Sequence, residues 1–232
     1  MNRWTAVGVH YNDKGNPALA NYELVHYAHM KFSVSFIYDS KDRLIELTAP
    51  VGYEMDEGFY TTPRRVKYVY QGDSPLPVRD SIFKIGGQEV IEVEDLFYDE
   101  QGRINRIVHR GDNYPWLHEY ESRYYYDARG NKQVSLNGAG VEPGLAEYGD
   151  KPSLYSLHPV WQLIHKDYSI NSVKNGAETY NNEGLPLKVN LNAFYNRAAG
   201  IFYNRSFLCV ENGPDYELSY ISYACSELKK QN

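Results

Sequence analysis

The chain has 232 residues, a formal net charge of -6, 42% hydrophobic residues and 23% charged residues. That balance excludes wholesale disorder. No apolar run approaches the ~18 residues of a membrane-spanning helix, and an acidic chain without a Lys/Arg block is not a nucleic-acid binder. Tyrosine dominates the aromatic residues, with 23 Tyr against 8 Phe and 3 Trp, which favours strands whose rings are half buried and whose hydroxyls stay wet.

The opening Met1-Asn2-Arg3-Trp4 has no basic-then-apolar export segment, so the protein is expected to be cytosolic or to have a leader beyond these residues. The first clear strand is Met30 to Phe36, where Met30, Phe32, Val34 and Phe36 alternate with polar residues and Tyr38 continues their face. Arg65 to Gln71 alternates in the same way, with Val66, Tyr68 and Tyr70 opposing Arg65, Lys67 and Val69. Leu187, Val189 and Leu191 share a face in a third run. Each reads as a strand with one dry and one wet face, as in an antiparallel meander. Asn137 to Pro152, rich in Gly and Pro, is expected to be a loop. Ser153 to Asp167 carries Leu154, Leu157, Trp161, Leu163 and Ile164 at near-helical spacing, with Pro159 placed to start one short helix and Trp161 expected in the core.

Between the strands an aromatic turn unit recurs. It reads Tyr11-Asn12-Asp13-Lys14-Gly15, Tyr38-Asp39-Ser40-Lys41-Asp42, Tyr98-Asp99-Glu100-Gln101-Gly102, Tyr126-Asp127-Ala128-Arg129-Gly130 and Tyr180-Asn181-Asn182-Glu183-Gly184, with looser copies at Tyr70 and Tyr148. The spacing, about 22 to 32 residues, suits one hairpin per repeat. Asp or Asn bonds the backbone two residues on, and Gly accepts a positive φ. Calcium loops need more carboxylates and a closing Glu, so these are read as turns.

Candidate sites are few. His26 and His29 point to opposite faces of a strand, and Pro159 separates His158 from His165. His109 and His118, near Glu119 and Glu121, have the residue types of a metal site, but surface histidines are expected and no metal or cofactor is assigned. Glu92 and Glu94 share a strand face at a separation that would suit a glycosidase, yet are expected on a wet face for solubility. The binding candidates are Tyr114, Trp116 and His118, aromatic groups in the loop Asn113 to His118. Cys209 and Cys225 are read as free thiols too far apart to bridge. No catalytic residue is assigned.

The Tyr-Asp-x-x-Gly-Arg/Asn units resemble the YD repeats of Rhs-type surface proteins. More closely, the order of elements is similar to a Bacteroidetes lipoprotein family of unknown function with a porin-like fold. That order here is Tyr148-Gly149-Asp150-Lys151-Pro152, then Trp161 to Tyr168, an Asn-rich stretch from Asn171 to Asn175, Tyr180 to Pro186, and Tyr216 to Cys225. Gly149 stands where the family favours Asp, and no lipobox Cys is present. The resemblance implies an antiparallel sheet curled into a barrel or part-barrel, exported to the outer-membrane surface or periplasm, and no known reaction. Asp80-Ser81-Ile82 also resembles the short O-glycosylation acceptor of exported Bacteroidetes proteins.

The expectation is a single all-β domain over residues 1–232: an antiparallel meander curled into a barrel or half-barrel, with one short helix. Its expected role is a non-catalytic binding or scaffolding module, with glycan or peptide as partner, no membrane-spanning segment (a lipid anchor is allowed) and a monomer or weak dimer. The alternatives are a glycan-acting hydrolase with carboxylates in a sheet concavity, or a cytosolic interaction protein of a toxin system.

Overall fold

A computed structural model describes residues 5–24, 30–48, 65–83, 89–111, 119–133, 147–174, 177–190 and 218–220. Nine consecutive strands form one antiparallel meander in chain order: β1 (Thr5–Tyr11), β2 (Pro17–Leu24), β3 (Met30–Tyr38), β4 (Leu44–Thr48), β5 (Arg65–Tyr70), β6 (Pro77–Phe83), β7 (Val90–Tyr98), β8 (Ile104–Gly111) and β9 (Glu119–Arg123). Then come the pair β10 (Tyr125–Tyr126) and β11 (Lys132–Gln133), and β12 (Tyr148–Pro152) with β13 (Asn171–Val173). A three-stranded sheet holds β14 (Ala177–Tyr180), β15 (Pro186–Asn190) and β16 (Leu218–Tyr220). The one α-helix among the described residues is α1 (Pro159–His165).

The expected turns form as local chemistry dictates. In each strong copy the residue after Tyr uses its side-chain oxygen to accept two backbone N–H groups, two and four residues on. Asp39 accepts from Lys41 and Arg43, Asp99 from Gln101 and Arg103, and Asp127 from Arg129 and Asn131, all at 2.9–3.0 Å. Asn12 and Asn181 do the same. The turn closes through a residue with positive φ. In four copies it is Gly, as at Gly130, where φ is 80°. In the second it is Asp42, with φ 60°, one of the few residue types that tolerate that region. A side chain at Gly130 would be doubly opposed, since a Cβ there would lie 2.7 Å from Ile170 Cδ1.

The tyrosine of each unit reaches back to the preceding hairpin. Tyr38 donates its hydroxyl to the Pro17 carbonyl at 2.8 Å, Tyr70 to Leu44 at 2.9 Å, Tyr98 to Pro77 at 2.8 Å and Tyr126 to Ile104 at 3.0 Å. Each acceptor is the first residue of the strand that follows the preceding turn. Tyr148 keeps this role, donating to Lys132 at 2.6 Å, although it opens β12 instead of a turn. Its strand corrects the expected loop: Tyr148 and Pro152 pair with Val173 and Asn171, and this ladder draws Tyr148 to Pro152 out of coil. Residues 137–146 lie outside the described set.

Arginine ties the same neighbours together. Arg43 and Arg103 hold their own turn aspartates through Nε at 2.7 and 2.8 Å. Their guanidinium groups also lie 4.5 and 3.9 Å from the ring centres of Tyr70 and Tyr126 in the next unit. Burial raises the pKa of these tyrosines, Tyr70 to about 12, so the hydroxyls stay protonated donors.

Period two puts Val34, Phe36, Val66 and Tyr68 inside, as expected. Leu47, Ile82, Leu96, Ile104 and Ile107 join them. Against this face pack Val160, Leu163 and Ile164 of α1. Seven residues are too few for a helix to stand alone. Pro159 at its first position, the His158 Nδ1 that accepts from Val160 N–H at 3.2 Å, and burial of the three aliphatic side chains hold it. Each of those side chains contributes roughly 1.5–3 kcal/mol. Trp161 is part-buried, edge-on to Phe36 at 5.5 Å.

The sheet must curl round this helix. His158 lies edge-on to Tyr11 of β1, Trp161 meets Phe36 of β3, and Lys166, just past α1, reaches Asp80 of β6 and Glu94 of β7. A seven-residue helix is about 10 Å long, whereas β1 to β7 would spread over ~29 Å if flat. β16 also comes against β1. The hydrogen-bonded sheet is nevertheless open among the described residues, a curled meander and not a closed barrel.

The outward face carries charge: Glu46 with Arg65, Asp95 with Arg79 and Arg110, and Glu121 with Arg106 and Arg123. A membrane barrel would present an apolar band there. No helix among the described residues is long and apolar enough to cross a membrane.

Tyr98→Phe isolates one tyrosine link, because the ring stays and only the hydroxyl goes. The Pro77 carbonyl then loses its donor, and stability should fall by about 1–2 kcal/mol in urea denaturation. An unchanged midpoint would show that the link contributes nothing.

Candidate functional site

The sheet register gathers chemistry that is scattered in the sequence. Tyr68 pairs with Asp80, Asp80 with Glu94, Glu94 with His109, and His109 with Tyr120. One transverse row across β5 to β9 therefore carries two acids and an imidazole between two tyrosines. Glu92 stands two residues before Glu94 on the same face, opposite Gly111. Asp80, Glu92, Glu94 and His109 are at most 2% exposed. Glu92 and Glu94 do share a face, but it is the sealed inner one. The expectation of a wet face fails because alternation alone does not say which face α1 covers.

Lysine reaches this row from above. Lys166, the C-terminal cap of α1, adopts a left-handed conformation with φ 52°. Its Nζ then lies 2.5 Å from Asp80 Oδ2 and 3.8 Å from Glu94 Oε2, and 5.4 Å from the Tyr68 ring centre. Asp80 Oδ1 is buried without a hydrogen-bond partner among the described residues.

His109 Nδ1 faces Glu94 Oε1 at 2.9 Å and Glu92 Oε1 at 3.3 Å, while Nε2 meets Ser122 Oγ at 2.9 Å. The ring is stacked on Tyr120 with centres 4.2 Å apart. Burial pulls the imidazole down to about 3, against the opposing pull of Asp80. The ring is therefore neutral, with Nδ1 turned to the two carboxylates and Nε2 to the Ser122 hydroxyl. One donor atom from each of Glu92, Glu94 and His109 lies within 4.8 Å of the others. This is the one such group of three His, Cys, Asp or Glu among the described residues that could hold a metal.

A second buried polar group adjoins it. Lys132 Nζ donates to the Lys166 carbonyl at 3.1 Å and lies 3.9 Å from Asp167 Oδ2. His165, at the end of α1, is stacked on Tyr155 with ring centres 4.1 Å apart.

The sequence-derived candidates fare unevenly. Tyr114, Trp116 and His118 lie outside the described residues, as do His26, His29, Cys209 and Cys225. His109 is an interior residue of β8, not a surface histidine, because its strand position points inward. Glu119 and Glu121 point outward on β9 and bond Arg110, Arg106 and Arg123, so they cannot share a ligand set with His109. Glu92 and Glu94 replace them. His158 and His165 do not converge, the first serving as helix cap. Asp80-Ser81-Ile82 lies within β6, its aspartate bound to Lys166, where an exposed acceptor loop would be required. Compared with known proteins, the chain matches no family model and no curated sequence.

Two outcomes test this geometry. Lys166→Met leaves buried carboxylates without their cation and should cost about 3–5 kcal/mol, with part recovered in Lys166→Met/Asp80→Asn. Lys14 Nζ lies 2.7 Å from Asp42 Oδ1 in an exposed ion pair, and a cost as small as that of removing this pair would contradict it. His165 is held neutral, its pKa lowered to about 4, chiefly by burial, with Asp167 raising it and Lys132 and Lys166 lowering it further. A depressed histidine stabilises above the unfolded value near 6.5, and that stability is lost as pH falls toward 4. His109 and His158 are shifted the same way. Urea midpoints should therefore drop between pH 7 and pH 4.5, and the drop should shrink in His165→Phe; an equal drop in the variant would contradict this.

Proposed function

We propose that the chain is a non-catalytic binding or scaffolding module of a cell-surface or periplasmic lipoprotein, of the YD-repeat-like Bacteroidetes family its sequence resembles. One observation supports this above the others: the carboxylates a hydrolase would present to a glycan are at most 2% exposed and engaged by Lys166 and His109. The repeat groups support it too. The tyrosine hydroxyls, turn aspartates and arginines bond to the sheet itself, as a scaffold requires. Glycan or peptide recognition is then assigned to the segment holding Tyr114, Trp116 and His118, which connects β8 to β9. The protein acts as a monomer or weak dimer, held to the outer membrane by a lipid anchor.

The gene is expressed with its natural upstream region, cells are fractionated, and intact cells are treated with protease. Recovery in the outer membrane, with loss on shaving, is the expected result. Recovery in the cytosol would overturn the reading and favour the intracellular interaction protein.

A further inference from the structure

We propose that Glu92, Glu94 and His109 form an interior site for one divalent first-row transition-metal cation, of the Zn²⁺ class. Donor spacing is the first support. Atoms bound about 2.1 Å from a common ion stand roughly 3.0–3.4 Å apart at octahedral or tetrahedral angles, and His109 Nδ1 lies 2.9 Å from Glu94 Oε1 and 3.3 Å from Glu92 Oε1. Support around the ligand is the second. Metal-bound histidines use one ring nitrogen on the metal and have the other fixed by a hydrogen bond; here Ser122 Oγ takes Nε2 and Tyr120 stacks on the ring.

Charge is the third. Asp80, Glu92 and Glu94 bring three carboxylates into a sealed interior, where the Lys166 ammonium lies between Asp80 and Glu94. The neighbouring Lys132 lies by Asp167. A divalent cation among these buried carboxylates supplies the opposite charge that a low-dielectric interior favours. Asp80 Oδ1 beside them is buried without a hydrogen-bond partner among the described residues. Gly111, paired with Glu92, places no side chain beside it. A nitrogen donor with two carboxylates suits Zn²⁺ or its neighbours better than Ca²⁺ or Mg²⁺, which take oxygen sets. Because the ligands are sealed, the metal enters as the chain folds, and its binding is part of folding.

The full chain is unfolded in chelator, then refolded with and without Zn²⁺ and assayed for bound metal and thermal midpoint. One Zn²⁺ per chain, retained through gel filtration and raising the midpoint, is expected. Ser122→Ala should weaken Zn²⁺ binding about 10–100-fold, Glu92→Gln more, and Lys166→Met should leave the stoichiometry at one. Absence of bound metal in a folded chain would overturn the proposal, as would binding unchanged by Glu92→Gln. Should that variant fail to fold, Co²⁺ in the unsubstituted chain decides: a spectrum without thiolate charge transfer supports this site, and a thiolate band points to Cys209 or Cys225 instead.

Discussion

Everything in the meander depends on how one hairpin is joined to the next, and the tyrosine hydroxyl makes that join. Strand pairing alone leaves the ends of neighbouring hairpins free to splay. Tyr38, Tyr70, Tyr98, Tyr126 and Tyr148 each fasten the end of one unit to the first carbonyl of a strand in the unit before. The ring spans the distance as apolar core and the hydroxyl donates to a backbone carbonyl of the neighbouring hairpin. The abundance of tyrosine follows: phenylalanine would fill the space without making the bond to the neighbouring hairpin. Arg43 and Arg103 extend the join by clamping a turn aspartate with one side of the guanidinium and covering the next tyrosine with its face.

That repeated join fixes the pitch and register of the sheet, and the register then places the interior chemistry. Asp80, Glu94 and His109 lie on three different strands and meet only because each is directly opposite the next. The curl brings Lys166 over them from a helix too short to exist unsupported. Sheet and helix are thus mutually dependent. α1 needs the sheet to bury Val160, Leu163 and Ile164, and the sheet needs the cap of α1 to supply the cation its acids face.

The parts legible in the sequence were those governed by a few consecutive residues. Asp99 to Arg103 carries its whole turn within five positions, and Pro159 announces its helix locally. Alternation in Arg65 to Tyr70 also assigned the correct inner residues. What escaped was non-local. The partner of Tyr98 is 21 residues away, at Pro77, and nothing near Tyr98 names it. Alternation puts Glu92 and Glu94 on one face, but which face is dry depends on a helix some seventy residues later. Nearness in sequence groups His109 with Glu119 and Glu121, whereas strand parity separates them. Parity was the available signal: odd positions on β9 oppose His109's face, and even ones such as Ser122 share it.

Native-state hydrogen exchange measures the central point directly, that tyrosine links turn separate hairpins into one cooperative unit. Slowly exchanging amides of β3 to β9 are expected to open together, with one common free energy and one denaturant dependence. Successive hairpins opening separately, each with its own free energy, would contradict it, and the tyrosines would then be filling space without joining the repeats.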